Sequence, residues 1–131
     1  MIDMENEDVR TFKSGKNVDL LPGDNLENIN LYAKWDNDQE TRRYSRNTFP
    51  RTPEEYKKWI EEEKTGTPRR IFFEIWHKAD KKIIGHVSFN NIRWTDRSAR
   101  IGMIIGEQEY RSKDLGTEAA AMIIEYGFNE L

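Results

Sequence analysis

The chain has 131 residues, room for one domain with a single modest core. Apolar residues make up 36% of it and include 4 Trp, 5 Tyr and 6 Phe, enough large side chains to offset chain entropy and exclude wholesale disorder. With 21 Lys and Arg against 24 Asp and Glu, the net charge of -3 gives no overall positive field to draw in nucleic acid or anionic membrane, and the lack of cysteine removes disulfides, thiolate metal sites and a thiol nucleophile.

The N-terminus from Met1 to Arg10 is acidic, without an apolar run of signal-peptide type, and no window approaches the roughly 20 apolar residues of a membrane span. A soluble cytoplasmic protein is expected. Residues 1 to about 14 are polar and aperiodic, a loose tail or a paired extension. A first strand is predicted over 16–21, closed by the turn dipeptide Pro22-Gly23. Asp24 and Glu27 have the spacing of a capping box, and Leu26, Ile29, Tyr32 and Ala33 recur at helical intervals, which predicts a helix over 25–35.

Residues 36–51 are polar, rich in Arg and Asn, and read as loop with room for a short helix. Thr52 as N-cap, Pro53 at the first helical position, and Glu54 and Glu55 at the positive end of the helix dipole open a second helix with Tyr56, Trp59 and Ile60 as its buried stripe. Beyond Gly66 and Pro68, three strands are predicted as an antiparallel meander: 70–77, 82–92 and 99–105, with turns at 79–81 and 95–97. In the middle strand Ile83, Gly85, Val87 and Phe89 share one face, and His86, Ser88 and Asn90 the other. A last helix from about Leu115 has a narrow polar stripe of Glu118, Ala121, Glu125 and Asn129 and calls for burial around most of its circumference, with Tyr126 and Phe128 in the core. The four Trp residues also read as packing.

The segment Arg111-Ser112-Lys113-Asp114-Leu115-Gly116-Thr117 leads into that helix. Unsatisfied N–H groups at a helix N-terminus and the helix dipole favour an anion such as pyrophosphate. Gly116 permits close backbone approach, Arg111 and Lys113 bring positive charge, and Thr117 a hydroxyl donor. Taken by itself, the same stretch reads first as a solvated surface loop. The only histidines, His77 and His86, lie on neighbouring predicted strands; His86 is a candidate general base or a half-exposed strand residue, and no third ligand type accompanies the pair to make a metal site. Glu107 is a second candidate, able to deprotonate an amine through water, or a solvated charge at a strand end; Glu109 reads the same way.

Residues 104–119, followed by Glu125-Tyr126-Gly127-Phe128, resemble the acetyl-coenzyme A motif of GNAT-superfamily N-acetyltransferases, and most nearly the branch that modifies ribosomal-protein N-termini, polyamines and related amines. In the pattern Q/R-x-x-G-x-G/A, Arg111 fills the first position and Gly116 the last, while Asp114 stands where the middle glycine is expected and Ser112 where that branch often has glycine. A carboxylate there opposes the charge of a pyrophosphate, and a Cβ obstructs backbone approach. Val18-Asp19-Leu20-Leu21-Pro22, Tyr32, Trp35, Thr52-Pro53-Glu54-Glu55, Trp59 and Ile83-Ile84-Gly85 extend the resemblance over residues 16–131, leaving 1–15 as an N-terminal extension.

The resemblance implies an α+β fold, a mixed and mainly antiparallel sheet flanked by helices, with acetyl-coenzyme A as cosubstrate and a primary amine (a protein N-terminus, a polyamine or an amino sugar) as acceptor. It implies that Met103, Ile104 and Ile105 pair with the pantetheine arm, the acetyl carbonyl near the Met103 and Ile104 amides, and that Arg111, Ser112, Lys113, Asp114, Leu115, Gly116 and Thr117 hold the pyrophosphate. Arg42, Arg43, Tyr44 and Asn47 fall in the family's acceptor-side loop. The family fold continues past this helix with a strand, a helix and a closing hairpin, so a partial domain is expected, its last strand an exposed edge open to a second copy of the chain. A non-catalytic remnant or interaction domain is the alternative.

Overall fold

The computed structural model describes residues 10–44, 49–62 and 66–131; most of the polar N-terminal stretch, and Asn47, lie outside the described residues. Strand β1 (Lys13–Ser14) is followed by β2 (Val18–Pro22), a 3-10 turn (Leu26–Asn28), helices α1 (Ile29–Asn37), α2 (Gln39–Tyr44) and α3 (Pro53–Glu62), strands β3 (Ile71–His77), β4 (Lys82–Arg93) and β5 (Ser98–Ile105), a second 3-10 turn (Gln108–Tyr110) and helix α4 (Leu115–Glu130). The five strands form one sheet in sequence order, with every neighbouring pair antiparallel. The fold is therefore α+β, as the sequence implied.

Side-chain alternation along the strands divides the core between the two faces of the sheet. Val18, Leu20, Phe73, Ile75, Val87 and Phe89 meet Leu115, Ala119, Met122 and Ile123 of α4. Phe72 on the opposite face meets Tyr32 and Ala33 of α1 and Tyr56 of α3. Of the tail's two readings, residues 12–15 follow the paired one: Phe12 N–H donates to Leu20 O (2.8 Å), and the Phe12 ring packs 5.1 Å from both Phe73 and Tyr126.

Helix α3 starts as predicted and closes a reciprocal cap, Thr52 N–H donating to Glu55 Oε1 (3.0 Å) and Glu55 N–H to Thr52 Oγ (3.2 Å). The capping box at Asp24 does not form. Asp24 has φ 57° and pairs with Arg70 at 2.5 Å, and a 3-10 turn precedes the helix, which starts at Ile29. A bulge opposite Ile75 and Trp76 changes the alternation of β4, so Ile84 is fully buried in the α4-side core while Ile83 is only half-buried. Helix α4 buries a narrower stripe than its composition suggested: Tyr126 packs inward, but Phe128 is 86% exposed. Trp94, at 39%, is likewise on the surface.

Candidate functional site

Strand β5 has one neighbour, β4, and leaves its other edge open among the described residues. Gly106 N–H donates to Ile84 O (2.8 Å) in line with the β4–β5 register. Hydrogen-bonded and non-bonded pairs alternate in an antiparallel ladder, so the next bonded pair is His86 with Ile104. The peptide groups of Met103 and Ile105 then face the open edge, and the amide of Ile104 faces β4. The Ile105 carbonyl, on that edge, accepts a hydrogen bond from Arg111 Nε (2.9 Å). The Met103 amide therefore faces the open edge and the Ile104 amide faces β4, although the resemblance puts both near the acetyl carbonyl.

The loop before α4 lies against this edge strand. A Cβ on Gly116 would come within 2.8 Å of Met103 Cε and 3.6 Å of Ile105 Cγ1, so the first turn of α4 sits close over β5 because residue 116 has no side chain. Ser112 (φ 62°) and Asp114 (φ 63°) both adopt left-handed backbone. The positions where glycine was expected keep the glycine-like conformation with other side chains. Asp114 is the N-cap of α4 yet makes no side-chain cap bond, and its carbonyl accepts the Glu118 N–H at 3.1 Å. Leu115 is buried in the core; Ser112, Lys113, Asp114 and Thr117 are exposed, with Lys113 Nζ 5.8 Å over the Tyr110 ring.

Arg111 does something the motif did not suggest. Besides Ile105 O, its guanidinium donates to Thr41 Oγ1 (2.9 Å) and Gly106 O (3.4 Å) and lies 3.5 Å from Asp38 Oδ2. It clamps the end of β5 to the junction between α1 and α2. The Thr41 N–H, with help from the Thr41 hydroxyl and Arg111, holds the Asp38 carboxyl below its usual range. Lys113, the other cation of the loop, is exposed.

The two acid–base candidates fall in different surroundings. Glu107 is half-buried and 3.8 Å from Lys82 Nζ; Glu109 is 3.6 Å from the same nitrogen. His86 is buried among Phe72, Tyr32 and Trp35, not half-exposed, with Nε2 3.9 Å from Asp36 Oδ1. Asp36 is buried too and accepts a hydrogen bond from the Tyr56 hydroxyl. Burial first, and then the negative charge of Asp36, holds the Tyr56 phenol far above its usual range. His77 belongs to a separate group at the far end of β3, its ring tilted and 4.8 Å from that of Tyr110, whose hydroxyl donates to Asp80 and is pushed up to about 12, chiefly by that bond. No group of three or more His, Cys, Asp or Glu able to hold a metal ion occurs among the described residues.

The family model described as acetyltransferase (GNAT) domain matches residues 24–131. The chain belongs to the GNAT acetyltransferase family. Among solved structures, this GNAT domain is similar to a spermidine N-acetyltransferase from Vibrio cholerae in complex with CoA and spermine, at 18% identity and a TM-score of 0.75 over 87% of this chain and 65% of that one. It is also similar to a GNAT-family acetyltransferase from Bacillus anthracis (17% identity, TM-score 0.66, 90% of this chain and 66% of that one). The microcin C7 self-immunity acetyltransferase, solved with acetyl-CoA and AMP, is a third (24% identity, TM-score 0.62, 88% and 66%). The chain spans about two thirds of the length of these structures. No curated protein matches it.

Within the GNAT frame, the open β5 edge, the loop 111–117 and Gly116 come together, and Arg111 joins them to Thr41 on α2. The sequence singles out neither Asp36 nor Glu74, and reads Tyr56 only as part of a buried helix stripe. Their signal was there in part: Asp36 falls four residues after Tyr32, placing a carboxylate on the buried stripe of a helix otherwise lined by apolar groups.

Proposed function

We propose that this GNAT domain binds acetyl-coenzyme A along the open edge of β5 and transfers the acetyl group to a primary amine, a protein N-terminus, polyamine or amino sugar. The observation that carries this reading is the meeting of two sets of free backbone donors. The Met103 and Ile105 peptide groups face the edge of β5, and Gly116 lets the first turn of α4 lie beside it with its N–H groups unused by capping. A thioester arm extended along β5 completes the ladder, a pyrophosphate takes the loop amides with Lys113, and the Met103 N–H is placed to stabilise the oxyanion formed when the amine attacks. The neutral amine nitrogen forms the new C–N bond, the C–S bond breaks, and no covalent enzyme intermediate is required.

Support for the cosubstrate comes from the CoA and acetyl-CoA complexes of the similar structures, and support for an amine acceptor from the spermine complex. A second reading is a binding domain without activity, favoured by the Asp114 carboxylate in the loop and by the engagement of Arg111 with protein groups. Release of free thiol, followed with acetyl-coenzyme A and a panel of a polyamine, an N-terminal peptide and an amino sugar, separates them. Amine-dependent release is expected for at least one acceptor class. A folded chain that binds acetyl-coenzyme A and releases no thiol above the amine-free blank is a binding domain, and the transfer reading is then wrong.

A further inference from the structure

The connection from β5 to α4 runs over residues 106–114, and Tyr110 is its one buried residue. Ser112, Lys113 and Asp114 are exposed; Ser112 and Asp114 hold left-handed backbone, and neither side chain hydrogen-bonds to a described residue. Such angles are uncommon outside glycine and persist where the surrounding structure holds the chain on both sides. On the far side the hold is Leu115, sunk in the core. On the near side it comes from two adjacent residues: Arg111 reaches the α1–α2 junction, bonded to Thr41 Oγ1 at 2.9 Å, and Tyr110 reaches the turn between β3 and β4.

The Tyr110 hydroxyl donates to the Asp80 carboxylate, 30 residues away in the chain, and its ring lies 4.8 Å from that of His77, the last residue of β3. Asp80 is itself fixed. Its N–H donates to His77 Nδ1 (3.1 Å), and the turn that carries it is closed by Lys81 N–H donating to His77 O (2.8 Å). The bond to Asp80 pushes the Tyr110 phenol up to about 12, so it keeps its donor proton across the neutral range. Lys82 Nζ and Lys113 Nζ lie 5.3 and 5.8 Å from the centre of the Tyr110 ring, within reach of its electron-rich π-system. Glu107 and Glu109 balance the charge of Lys82, whereas Lys113 makes no ion pair with a described residue. Tyr110 therefore holds both the start of the loop and the side chain of its unpaired cation.

We propose that Tyr110, through its bond to Asp80, is a positioning residue for residues 112–117, presenting their amides and Lys113 to the pyrophosphate of acetyl-coenzyme A. The inference rests on the reading that places this cosubstrate at the β5 edge. Tyr110 acts without touching the ligand. A loop released at this point would have to be ordered at binding, and its affinity would fall with the fraction of molecules in which the loop is in place. The ring and the hydroxyl have separable roles: the ring belongs to the core, while Asp80 is exposed. Tyr110→Phe keeps the packing and cuts the tether.

The test compares two thioesters on the whole chain: acetyl-coenzyme A, and S-acetylpantetheine, which has the same arm but neither pyrophosphate nor nucleotide. Tyr110→Phe is expected to weaken acetyl-coenzyme A about fivefold by calorimetry and to raise its KM by the same factor, with kcat and the thermal midpoint little changed and transfer from S-acetylpantetheine unaffected. Asp80→Ala is also expected to weaken acetyl-coenzyme A, against the sign of the charge it removes, and adding it to Tyr110→Phe should weaken binding no further. Unchanged affinity in Tyr110→Phe overturns the proposal. So does an equal loss with both thioesters, the mark of a merely structural role, or full additivity of the two substitutions. If Tyr110→Phe does not fold, Asp80→Ala at its exposed turn carries the comparison alone. An unsubstituted chain that does not bind acetyl-coenzyme A removes the underlying reading and this proposal with it; one that binds but transfers nothing removes only the transfer reading, and the calorimetric comparison still decides.

Discussion

Ser112 and Asp114 hold left-handed backbone without being glycine, which costs each a fraction of the penalty a branched residue would pay, since short polar side chains tolerate those angles. Asp114→Gly removes that strain but adds chain entropy to the unfolded state, so stability is expected to change by no more than about 1 kcal/mol. The ligand should feel more: a surface carboxylate a few Å from a pyrophosphate is worth on the order of 1 kcal/mol, and Asp114→Gly should tighten acetyl-coenzyme A about fivefold in a calorimetric titration. Unchanged affinity would place the anion elsewhere. The loop was legible as a candidate because its spacing and Gly116 are local features. Arg111 was legible only as a cation. Its partners Ile105 O, Thr41 and Asp38 depend on α2 folding back onto the end of β5, which no local pattern records.

At the scale of elements, α4 is tied to the start of β2 by a single carboxylate. Glu118 accepts hydrogen bonds from Asn17 N–H (2.8 Å), Val18 N–H (3.1 Å) and Asn17 Nδ2 (2.9 Å). Burial raises its pKa, yet these donors outweigh burial and hold the carboxyl below its usual range. A carboxyl with a depressed folded pKa contributes stability that is present above the unfolded value, about 4.3, and is lost as pH falls through the folded value. Glu118→Gln is therefore expected to cost about 1–2 kcal/mol at neutral pH and to flatten the loss of stability below about pH 4 in denaturant titrations. The same helix was easy to predict from its composition, as was α3 from Thr52-Pro53-Glu54-Glu55. The start of α1 was misread because Asp24 pairs with Arg70 at the start of the neighbouring strand β3, and β4 because one bulged residue, Ile84, reverses which isoleucine goes inside. The polar layer around His86 was hidden for a similar reason: Asp36 and Tyr56 come from two helices that meet only after both dock on the sheet.

For the whole molecule, the open edge of β5 and the exposed apolar groups beside it share one surface. Ile101, Trp94, Ile124 and Phe128 line a groove of about 640 Å³ between β5 and α4. An unpaired strand with apolar flanks invites a second copy, and edge pairing would use the same peptide groups of Met103 and Ile105 that we assign to the ligand. Self-association and ligand binding should therefore oppose each other, so that acetyl-coenzyme A shifts sedimentation velocity profiles toward monomer. Phe128→Asp should do the same without ligand; a profile insensitive to both would remove the edge from the account. The most direct test remains calorimetric titration of the 131-residue chain with acetyl-coenzyme A, since binding at the β5 edge underlies the proposed function. Saturable one-to-one binding that weakens when Lys113 is replaced by Glu is the predicted result. No heat at millimolar ligand from a chain shown to be folded would contradict it.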